Sequence, residues 1–255
     1  MTHFLEVAIT AARQAGAIVR EGYGAAVHIT HKGAIDLVTE TDKRSETVIL
    51  ATLRGAFPGH AILSEESGRA AGDAYEWLVD PLDGTTNFAH KFPVFSISIA
   101  LTFQRRLIAG VVYDPLRDEL FSAEAGQGAR LNGAPIHVSG TRALEQALLS
   151  TGFPYDVRTN PNNNLAEFTR FELLAQGVRR TGSAALDCSW VAAGQLDGFW
   201  ELRLNPWDVG AGALIAREAG GRVTAYSGDE DFLGKDSIVA SNGILHDEML
   251  RLLKS

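Results

Sequence analysis

The spacing of apolar residues predicts two helices in the first 60 residues of the chain. In the first segment the apolar positions recur at helical spacing: Leu5, Ala8, Ala12, Ala15 and Val19. Glu6 and Arg13 fall inside this pattern, so we expect an amphipathic helix and neither a signal peptide nor a membrane span. A second helix is predicted over residues 41–57, where Pro58-Gly59 ends it.

Short apolar or alternating runs follow these helices and predict strands. The runs read AILSEE, EWLVD, FSISIALTF, LIAGVVYD and ELFSAEA. They are separated by Gly, Pro, Asp and Arg, which is typical of a sheet rich in antiparallel pairs. The first half of the chain is therefore predicted to place helices on such a sheet.

From Leu148 onward, predicted strands and helices alternate. The predicted strands are ALLSTGF, VRRTG, DGFWEL, VTAYS and SIVASN, and the predicted helices span residues 164–176, 183–193, 206–219 and 245–253. This alternation predicts an α/β layer. We therefore predict two lobes that share an interface, an N-terminal α+β lobe over residues 1–145 and a C-terminal α/β lobe over residues 146–255.

Composition narrows the class of protein. The chain has 255 residues, of which 45% are hydrophobic, enough for a sizeable core. Its formal charge of −8 and the absence of any basic run longer than a pair argue against a nucleic-acid surface, so anionic partners would need metal ions. The only cysteine, Cys188, excludes an internal disulfide and a thiolate zinc cluster, and it suits a reducing compartment such as the cytoplasm.

The segment WLVDPLDGTTNFAH, which begins at Trp77, carries the first candidate chemistry. Pro81 fixes its φ angle and donates no hydrogen bond, so we expect a turn between Asp80 and Asp83. Such a turn would aim both carboxylates and the Leu82 carbonyl at one point. Clustered carboxylates repel one another unless a cation lies between them, and Mg²⁺ prefers oxygen ligands.

The residues after Asp83 suggest a phosphate site. Gly84 allows a ligand close to the backbone, and the amides of Gly84, Thr85 and Thr86 could hold phosphate oxygens if a helix begins there. The structural alternative is an Asx-turn followed by a helix cap.

Further acidic residues occur at the ends of other predicted elements. Glu65 follows a strand, while Asp42 and Asp208 open helices. Taken one at a time, an exposed acidic turn and two N-caps would explain them. Taken together, so many carboxylates at element ends favour a shared metal site.

Other classes of phosphatase fit less well. In the haloacid dehalogenase type an aspartate stands two residues before the Asp of the DGT sequence, and here that position is Pro81. Cys188 is followed by SWVAAGQ, with no arginine to bind phosphate, which argues against a cysteine phosphatase. The seven histidines form no pair at metal or phosphohistidine spacing. Water activated by a metal ion is left as the nucleophile.

The segments WLVDPLDGTTNFAH and WDVGAGALIAREAGG resemble the two signatures of the inositol monophosphatases. The resemblance runs nearly end to end, through DLVTETD, LSEESG, GVVYDP, GFPYD, RRTGSAALD and DGFWEL, and is closest to bacterial inositol-1-monophosphatases. It implies a layered αβαβα sandwich of the type shared with fructose-1,6-bisphosphatase, assembled as a homodimer.

The resemblance also implies roles for individual residues. The implied ligands of two or three Mg²⁺ ions are Glu65, Asp80, the Leu82 carbonyl, Asp83 and Asp208. Asp42 and Thr85 would orient the attacking water and help to deprotonate it, together with Glu65. The implied phosphate and substrate contacts are Asp83, Gly84, Thr85, Thr86, Gly182, Ser183, Ala184 and Glu201, and the implied mobile loop carries Lys32 and Asp36.

The implied activity is Mg²⁺-dependent hydrolysis of myo-inositol monophosphate by in-line attack of water, with inhibition by lithium. Related families use the same constellation on histidinol phosphate, fructose 1,6-bisphosphate, NADP or adenosine 3′,5′-bisphosphate. A non-enzymatic alternative is binding to the bacterial transcription machinery. One departure is Gly210, where the family usually has alanine; glycine inside a helix costs roughly 0.5–1 kcal/mol.

Overall fold

A computed structural model describes residues 1–24, 29–31 and 37–254 of the chain. The helices in this range are α1 (His3–Gly22), α2 (Glu40–Ala56), α3 (Thr85–Ala89), α4 (Leu165–Glu172), α5 (Ala184–Ala192), α6 (Pro206–Glu218) and α7 (His246–Leu253). None of these helices is long and apolar enough to cross a membrane.

The strands belong to three sheets. They are β1 (Ile29–His31), β2 (Leu37–Thr39), β3 (Ala61–Ser64), β4 (Gly68–Ala70), β5 (Tyr75–Asp83), β6 (Ser96–Phe103), β7 (Arg106–Asp114), β8 (Glu119–Glu124), β9 (Ala129–Leu131), β10 (Ala134–Ile136), β11 (Leu148–Thr151), β12 (Gly177–Arg179), β13 (Gly198–Leu202), β14 (Arg222–Thr224) and β15 (Ser237–Ser241). β1 and β2 form a small antiparallel pair of their own.

The largest sheet has the strand order β10-β9-β8-β7-β6-β5-β3-β4. Its neighbouring strands are antiparallel except for β3 and β5, which run parallel. This confirms the predicted sheet rich in antiparallel pairs. The short strands β4, β9 and β10 were not predicted, because three residues are too few for an alternating pattern to stand out.

The second large sheet has the order β12-β11-β13-β15-β14. β11 runs parallel to both of its neighbours, and β15 runs antiparallel to both of its own. Helices α4, α5 and α6 connect successive strands, which is the predicted alternation of strand and helix.

Alternation along single strands divides the buried side chains between layers. Trp77 and Val79 of β5 pack with α1 and α2, whereas Leu78 between them packs with α5 and α6. In β13, Phe199 faces α5 and α6, while Trp200 packs against α4 and α7 on the other side of the sheet. The layers therefore follow the order helix, sheet, helix, sheet, helix, which confirms the predicted sandwich.

The helix boundaries differ from the predictions mainly at α4. The chain was predicted to be helical over residues 164–176, but the helix ends at Glu172. Beyond this residue the chain turns into β12, and the Glu172 Oε2 accepts a hydrogen bond from the Val178 N–H at 3.1 Å. The two large sheets use separate parts of the sequence, yet α5 and α6 pack against both of them. The two-lobe division stays a prediction.

Candidate active site

Asp80 and Asp83 both lie in β5, where a bulge separates them. Residues three apart in a regular strand point to opposite faces of the sheet. Here Asp80 pairs with Ser98 and Asp83 with Ser96, so β5 holds one residue more than β6 over this stretch. The extra residue returns both carboxylates to one face. The expected turn is therefore wrong: the strand continues through Pro81, whose missing N–H is tolerated at a bulge.

A short helix follows β5 after a single residue, Gly84, as the phosphate-site prediction required. Gly84 has φ +96°, a left-handed conformation that favours glycine, and α3 begins at Thr85. A Cβ atom on Gly84 would lie 3.0 Å from the Val94 carbonyl oxygen and 3.2 Å from that of Gly182. Glycine is needed here both for its backbone angle and for this close approach.

Asp42 and Thr85 are brought together, although they are far apart in sequence. The Thr85 hydroxyl lies 3.0 Å from the Asp42 Oδ1 and 3.0 Å from the Leu82 carbonyl oxygen, and it can donate a hydrogen bond to either of them. The other Asp42 oxygen accepts hydrogen bonds from the Thr39 N–H and hydroxyl. In return the Thr39 hydroxyl oxygen accepts the Asp42 N–H, which completes a capping box at the start of α2. Burial raises the pKa of Asp42 to about 6, against the opposing effect of these hydrogen bonds.

Asp83 connects β5 to the start of α5. Its Oδ2 accepts hydrogen bonds from the Ser183 hydroxyl at 2.6 Å and from the Ala185 N–H at 2.9 Å. Burial raises the pKa of Asp83 to about 6, although these hydrogen bonds act in the opposite direction. The structure thus brings Ser183 and Ala184 to the site. The Ser183 hydroxyl is engaged with Asp83, a contact that the sequence did not predict.

Four carboxylates, from three separate parts of the chain, contribute to the electrostatics of the site. Burial, followed by the charges of Glu65, Asp83 and Asp208, raises the pKa of Asp80 well above its ordinary value. Burial is also the main cause that raises the pKa of Asp208, with further contributions from Asp83 and Glu65. Asp208 lies in the first turn of α6, where its Oδ2 accepts the Asn205 N–H at 2.6 Å.

Glu65 is placed beside Asp80 by strand pairing. Ser64 pairs with Val79 in the parallel strands β3 and β5, and the Glu65 N–H donates to the Val79 carbonyl at 3.1 Å. Glu65 follows Ser64 and Asp80 follows Val79, so the pairing of Ser64 with Val79 places Glu65 next to Asp80.

The donor set consists of carboxylate and carbonyl oxygens, which suits a hard divalent cation such as Mg²⁺. Within the described ranges, no three acidic, histidine or cysteine side chains form a ready-made metal cage. Burial, with the charges of the neighbouring carboxylates, raises the pKa values of Asp80 and Asp208 in the absence of a cation. Asp80, Asp83 and Asp208 each accept a backbone N–H, from Leu82, Ala185 and Asn205 respectively.

Glu201 occupies the β13 side of the same region. Its carboxylate packs directly on Gly152, where an added Cβ would lie 2.1 Å from the Glu201 Oε1. Burial raises the pKa of Glu201 well above its ordinary value, and the charges of Asp187, Asp208 and Asp83 act in the same direction. Glu201 therefore shares an electrostatic environment with the carboxylates of β5 and α6.

Several residues of the site were not predicted. Asn87 of α3 donates to the carbonyls of Val94 and Thr181, both at 2.8 Å, and so holds the segment before Gly182. Ser45 and Glu46 lie one turn after Asp42 on α2, and this helical spacing was the signal that could have identified them. Lys32 and Asp36 lie outside the described residues.

Comparison with known proteins identifies the relatives of this chain. The sequence pattern of the inositol monophosphatase family matches residues 1–255. An inositol-1-monophosphatase of Synechocystis sp. is 48% identical over 253 residues, which cover 98% of this chain and 88% of that protein. The Nus factor SuhB of Pseudomonas aeruginosa is 46% identical over 252 residues, covering 95% of this chain and 92% of the relative.

The fold agrees with the sequence match. The structure of an inositol monophosphatase from Anabaena (Nostoc) sp. PCC 7120 superposes with a TM-score of 0.90 at 47% identity, covering 98% of this chain and 95% of the other. Sequence and fold therefore agree over nearly the whole length of the chain, and the chain belongs to the inositol monophosphatase family of phosphoric monoester hydrolases.

Proposed function

We propose that this protein is a Mg²⁺-dependent phosphomonoesterase that hydrolyses myo-inositol monophosphate to inositol and phosphate. The observation that carries the proposal is the acidic cluster of Glu65, Asp80, Asp83 and Asp208, which lies beside the hydrogen-bonded pair of Asp42 and Thr85. An uncompensated cluster of this kind is costly, so its presence supports a cation as part of the functional protein.

The proposed ligands of two or three Mg²⁺ ions are Glu65, Asp80, the Leu82 carbonyl, Asp83 and Asp208. Bound Mg²⁺ would supply positive charge against the phosphate oxygens and make the attacking water more acidic. The side chains contribute only oxygen donors, which agrees with the preference of this ion.

Thr85 and Asp42 are proposed to orient the attacking water and to receive its proton, with Glu65 assisting. When the Thr85 hydroxyl donates to Asp42, its oxygen keeps lone pairs that can accept a hydrogen bond from the attacking water. As the water gives its proton to Thr85, the hydroxyl would pass its own proton to the Asp42 carboxylate. The raised pKa of Asp42, about 6, lies closer to neutral pH than that of an ordinary aspartate, which makes this carboxylate a better proton acceptor. Cys188 is buried and burial raises the pKa of its thiol, which supports direct attack by water over a cysteine nucleophile.

The phosphate is proposed to bind at the start of α3, through the amides of Gly84, Thr85 and Thr86. Recognition of the polyol hydroxyls is proposed for Asp83 and Glu201, with Gly182, Ser183 and Ala184 at the start of α5. Phosphoryl transfer requires mainly positioning and electrostatic stabilisation, so backbone amides and carboxylates suffice.

The test of the substrate is phosphate release from a panel of five compounds in the presence of Mg²⁺. The panel contains myo-inositol 1-phosphate, histidinol phosphate, fructose 1,6-bisphosphate, NADP and adenosine 3′,5′-bisphosphate. We expect the highest kcat/KM for myo-inositol 1-phosphate. A higher value for another member would keep the mechanism and replace the substrate, whereas no turnover of any member would contradict the enzymatic proposal.

A second proposed function is binding to the transcription machinery. It is supported by the 46% identity to a relative named Nus factor SuhB. We expect immobilised RNA polymerase with its Nus factors to bind both the wild-type protein and the inactive Asp83→Asn variant in a pull-down assay. Failure of the wild-type protein to bind would exclude this function, and loss in the variant alone would mean that binding depends on the active site.

We also propose a homodimer, a cytoplasmic location and inhibition by lithium. Light scattering during size-exclusion chromatography would test the dimer. A lithium titration at several Mg²⁺ concentrations would test whether the inhibitor acts at the metal site.

A further inference from the structure

Helix α2 turns a buried polar face toward the candidate active site. Asp42, Ser45 and Glu46 occupy positions i, i+3 and i+4, which lie on the same side of a helix. All three side chains are buried. Three adjacent buried polar residues are unusual in a helix, because each of them needs a hydrogen-bonding partner.

Each of these side chains contacts a different segment of the site. Asp42 accepts the Thr85 hydroxyl at the start of α3. The Ser45 hydroxyl donates to the Pro81 carbonyl at 2.8 Å, at the bulge between Asp80 and Asp83. Glu46 contacts the turn that follows β3. One helix face therefore connects the three segments that carry the proposed chemistry.

The contact of Glu46 with this turn is extensive. A single oxygen, Oε1, accepts the Ser67 N–H at 3.0 Å and the Ser67 hydroxyl at 3.1 Å. The same oxygen accepts the Ser64 hydroxyl. Glu65 stands between these two serines, so Glu46 holds the chain on both sides of it.

We propose that Glu46 is a positioning residue that fixes the turn from Ser64 to Ser67 and thereby directs Glu65 toward Asp80. On the other side, the turn is held by the hydrogen bond between the Glu65 N–H and the Val79 carbonyl. The inference rests on the proposed function for the role of Glu65 as a metal ligand. It assigns to Glu46 the part of a residue that orients a ligand without contacting the ion.

A buried polar side chain is costly unless it is hydrogen-bonded. All three hydrogen bonds that the Glu46 Oε1 accepts come from Ser64 and Ser67, the two ends of this turn. The contact is therefore better explained by the turn that it holds than by core packing.

The experiment measures Mg²⁺ binding by calorimetry in substrate-free protein, with Mg²⁺ activation of turnover as a second readout. Glu46→Ala removes all three hydrogen bonds, while Glu46→Gln keeps a carbonyl oxygen that can accept them. Glu218→Ala is the matched control, because Glu218 accepts the N–H groups of Gly126 and Gly128 at 2.8 and 2.9 Å. Like Glu46, Glu218 ties a turn to a helix, but it contacts none of the proposed site residues.

We expect Glu46→Ala to weaken Mg²⁺ binding on the order of 10–100-fold. Glu46→Gln should stay close to wild type, and Glu218→Ala should bind Mg²⁺ normally. If Glu46→Ala does not fold, Ser64→Ala combined with Ser67→Ala keeps the carboxylate, removes two donors and should weaken binding in the same direction.

Unchanged Mg²⁺ binding in Glu46→Ala, or in the double serine variant, would overturn the proposal. Equal losses in Glu46→Gln and Glu46→Ala would also overturn it, because the charge of Glu46 rather than its hydrogen bonds would then matter. Wild-type protein that binds Mg²⁺ but hydrolyses nothing would refute the proposed function and leave this test valid.

Discussion

At the scale of single residues, Asp83 joins two parts of the site. Its carboxylate lies on the same face of the sheet as that of Asp80 because of the bulge in β5, and it accepts hydrogen bonds at the start of α5. The sequence motif indicated that the two carboxylates lie on one side. The hydrogen bonds at α5 join residues about a hundred positions apart, and only the packed layers bring them together.

Asp83→Asn should leave the fold intact and reduce kcat by more than about 100-fold. This exceeds the loss of activity that is typical when a residue that only orients a metal ligand is changed. The asparagine carbonyl can still accept the Ala185 N–H, but a neutral amide is a poor ligand for Mg²⁺. Steady-state kinetics and urea unfolding measure the two effects. Asp114→Asn is the control, because buried Asp114 also accepts backbone N–H groups, from Leu116 and Arg117, outside the site. Wild-type turnover in Asp83→Asn would contradict the metal assignment.

Gly152→Ala should raise KM for myo-inositol 1-phosphate more than for p-nitrophenyl phosphate. The new Cβ would meet the flexible end of Glu201, so the carboxylate moves and the protein stays folded. Glu201→Gln should produce the same selective effect. Gly140→Ala is the control, since nothing lies within 4 Å of a Cβ at that glycine. Equal changes in KM for both substrates would argue against recognition of the polyol by Glu201.

At the scale of elements, α6 packs closely between α5 and the larger sheet through small residues. A Cβ on Gly212 would lie 2.6 Å from the Cβ of Cys188 and 2.9 Å from the Ala185 carbonyl oxygen. At Gly210 a Cβ would lie 3.0 Å from the Leu78 Cδ1. The structure thus gives Gly210 a packing reason that the helix pattern alone did not reveal. Close packing of this helix carries Asp208 to the carboxylates of β5.

Gly212→Ala should destabilise the protein by about 1–3 kcal/mol, because backbone atoms of α5 have to move. Gly55→Ala, in the exposed last turn of α2 with nothing within 4 Å, should stabilise it by about 0.5–1 kcal/mol. Chemical denaturation of both variants measures the difference. A neutral or stabilising effect of Gly212→Ala would contradict the close packing of α5 and α6.

At the scale of the whole molecule, the sequence pattern predicted helices on an antiparallel-rich sheet followed by an α/β layer, and the family resemblance implied the full layered order. The roles of the acidic residues stay predictions. The helical and strand periodicities correspond to the helices and strands of the αβαβα order. Glu65 and Asp208 lie at or near the ends of elements, as expected, whereas Asp80 lies inside β5. The bulge at Pro81 was not predictable, because a proline after an aspartate also suits a turn. Glu46 and Gly152 could not be picked out from the sequence, because their contacts, to Ser67 and Glu201, join residues that are far apart along the chain.

Stability should also depend on pH through His246 at the start of α7. The buried ring bonds Thr224 and Ser241, both at 2.9 Å. Burial lowers its pKa to about 4, Arg222 acts in the same direction and Asp247 opposes it. Above about pH 6.5 the ring is neutral in both states. As pH falls from 6.5 toward 4, His246 becomes protonated in the unfolded chain but stays neutral in the folded protein, so stability decreases.

We expect the free energy of unfolding to fall by about 1–2 kcal/mol between pH 7.5 and pH 5 from this residue. The difference between wild type and His246→Asn, measured by urea unfolding at each pH, isolates it from the acidic site. A difference that does not change with pH would contradict the lowered pKa of His246.

The most direct test of the central claim is phosphate release from myo-inositol 1-phosphate before and after removal of divalent metal. The protein is treated with EDTA, and Mg²⁺ is then restored in steps. We predict no measurable turnover in EDTA and full recovery with Mg²⁺. Turnover that persists without divalent metal, or that Mg²⁺ fails to restore in folded protein, would contradict the account.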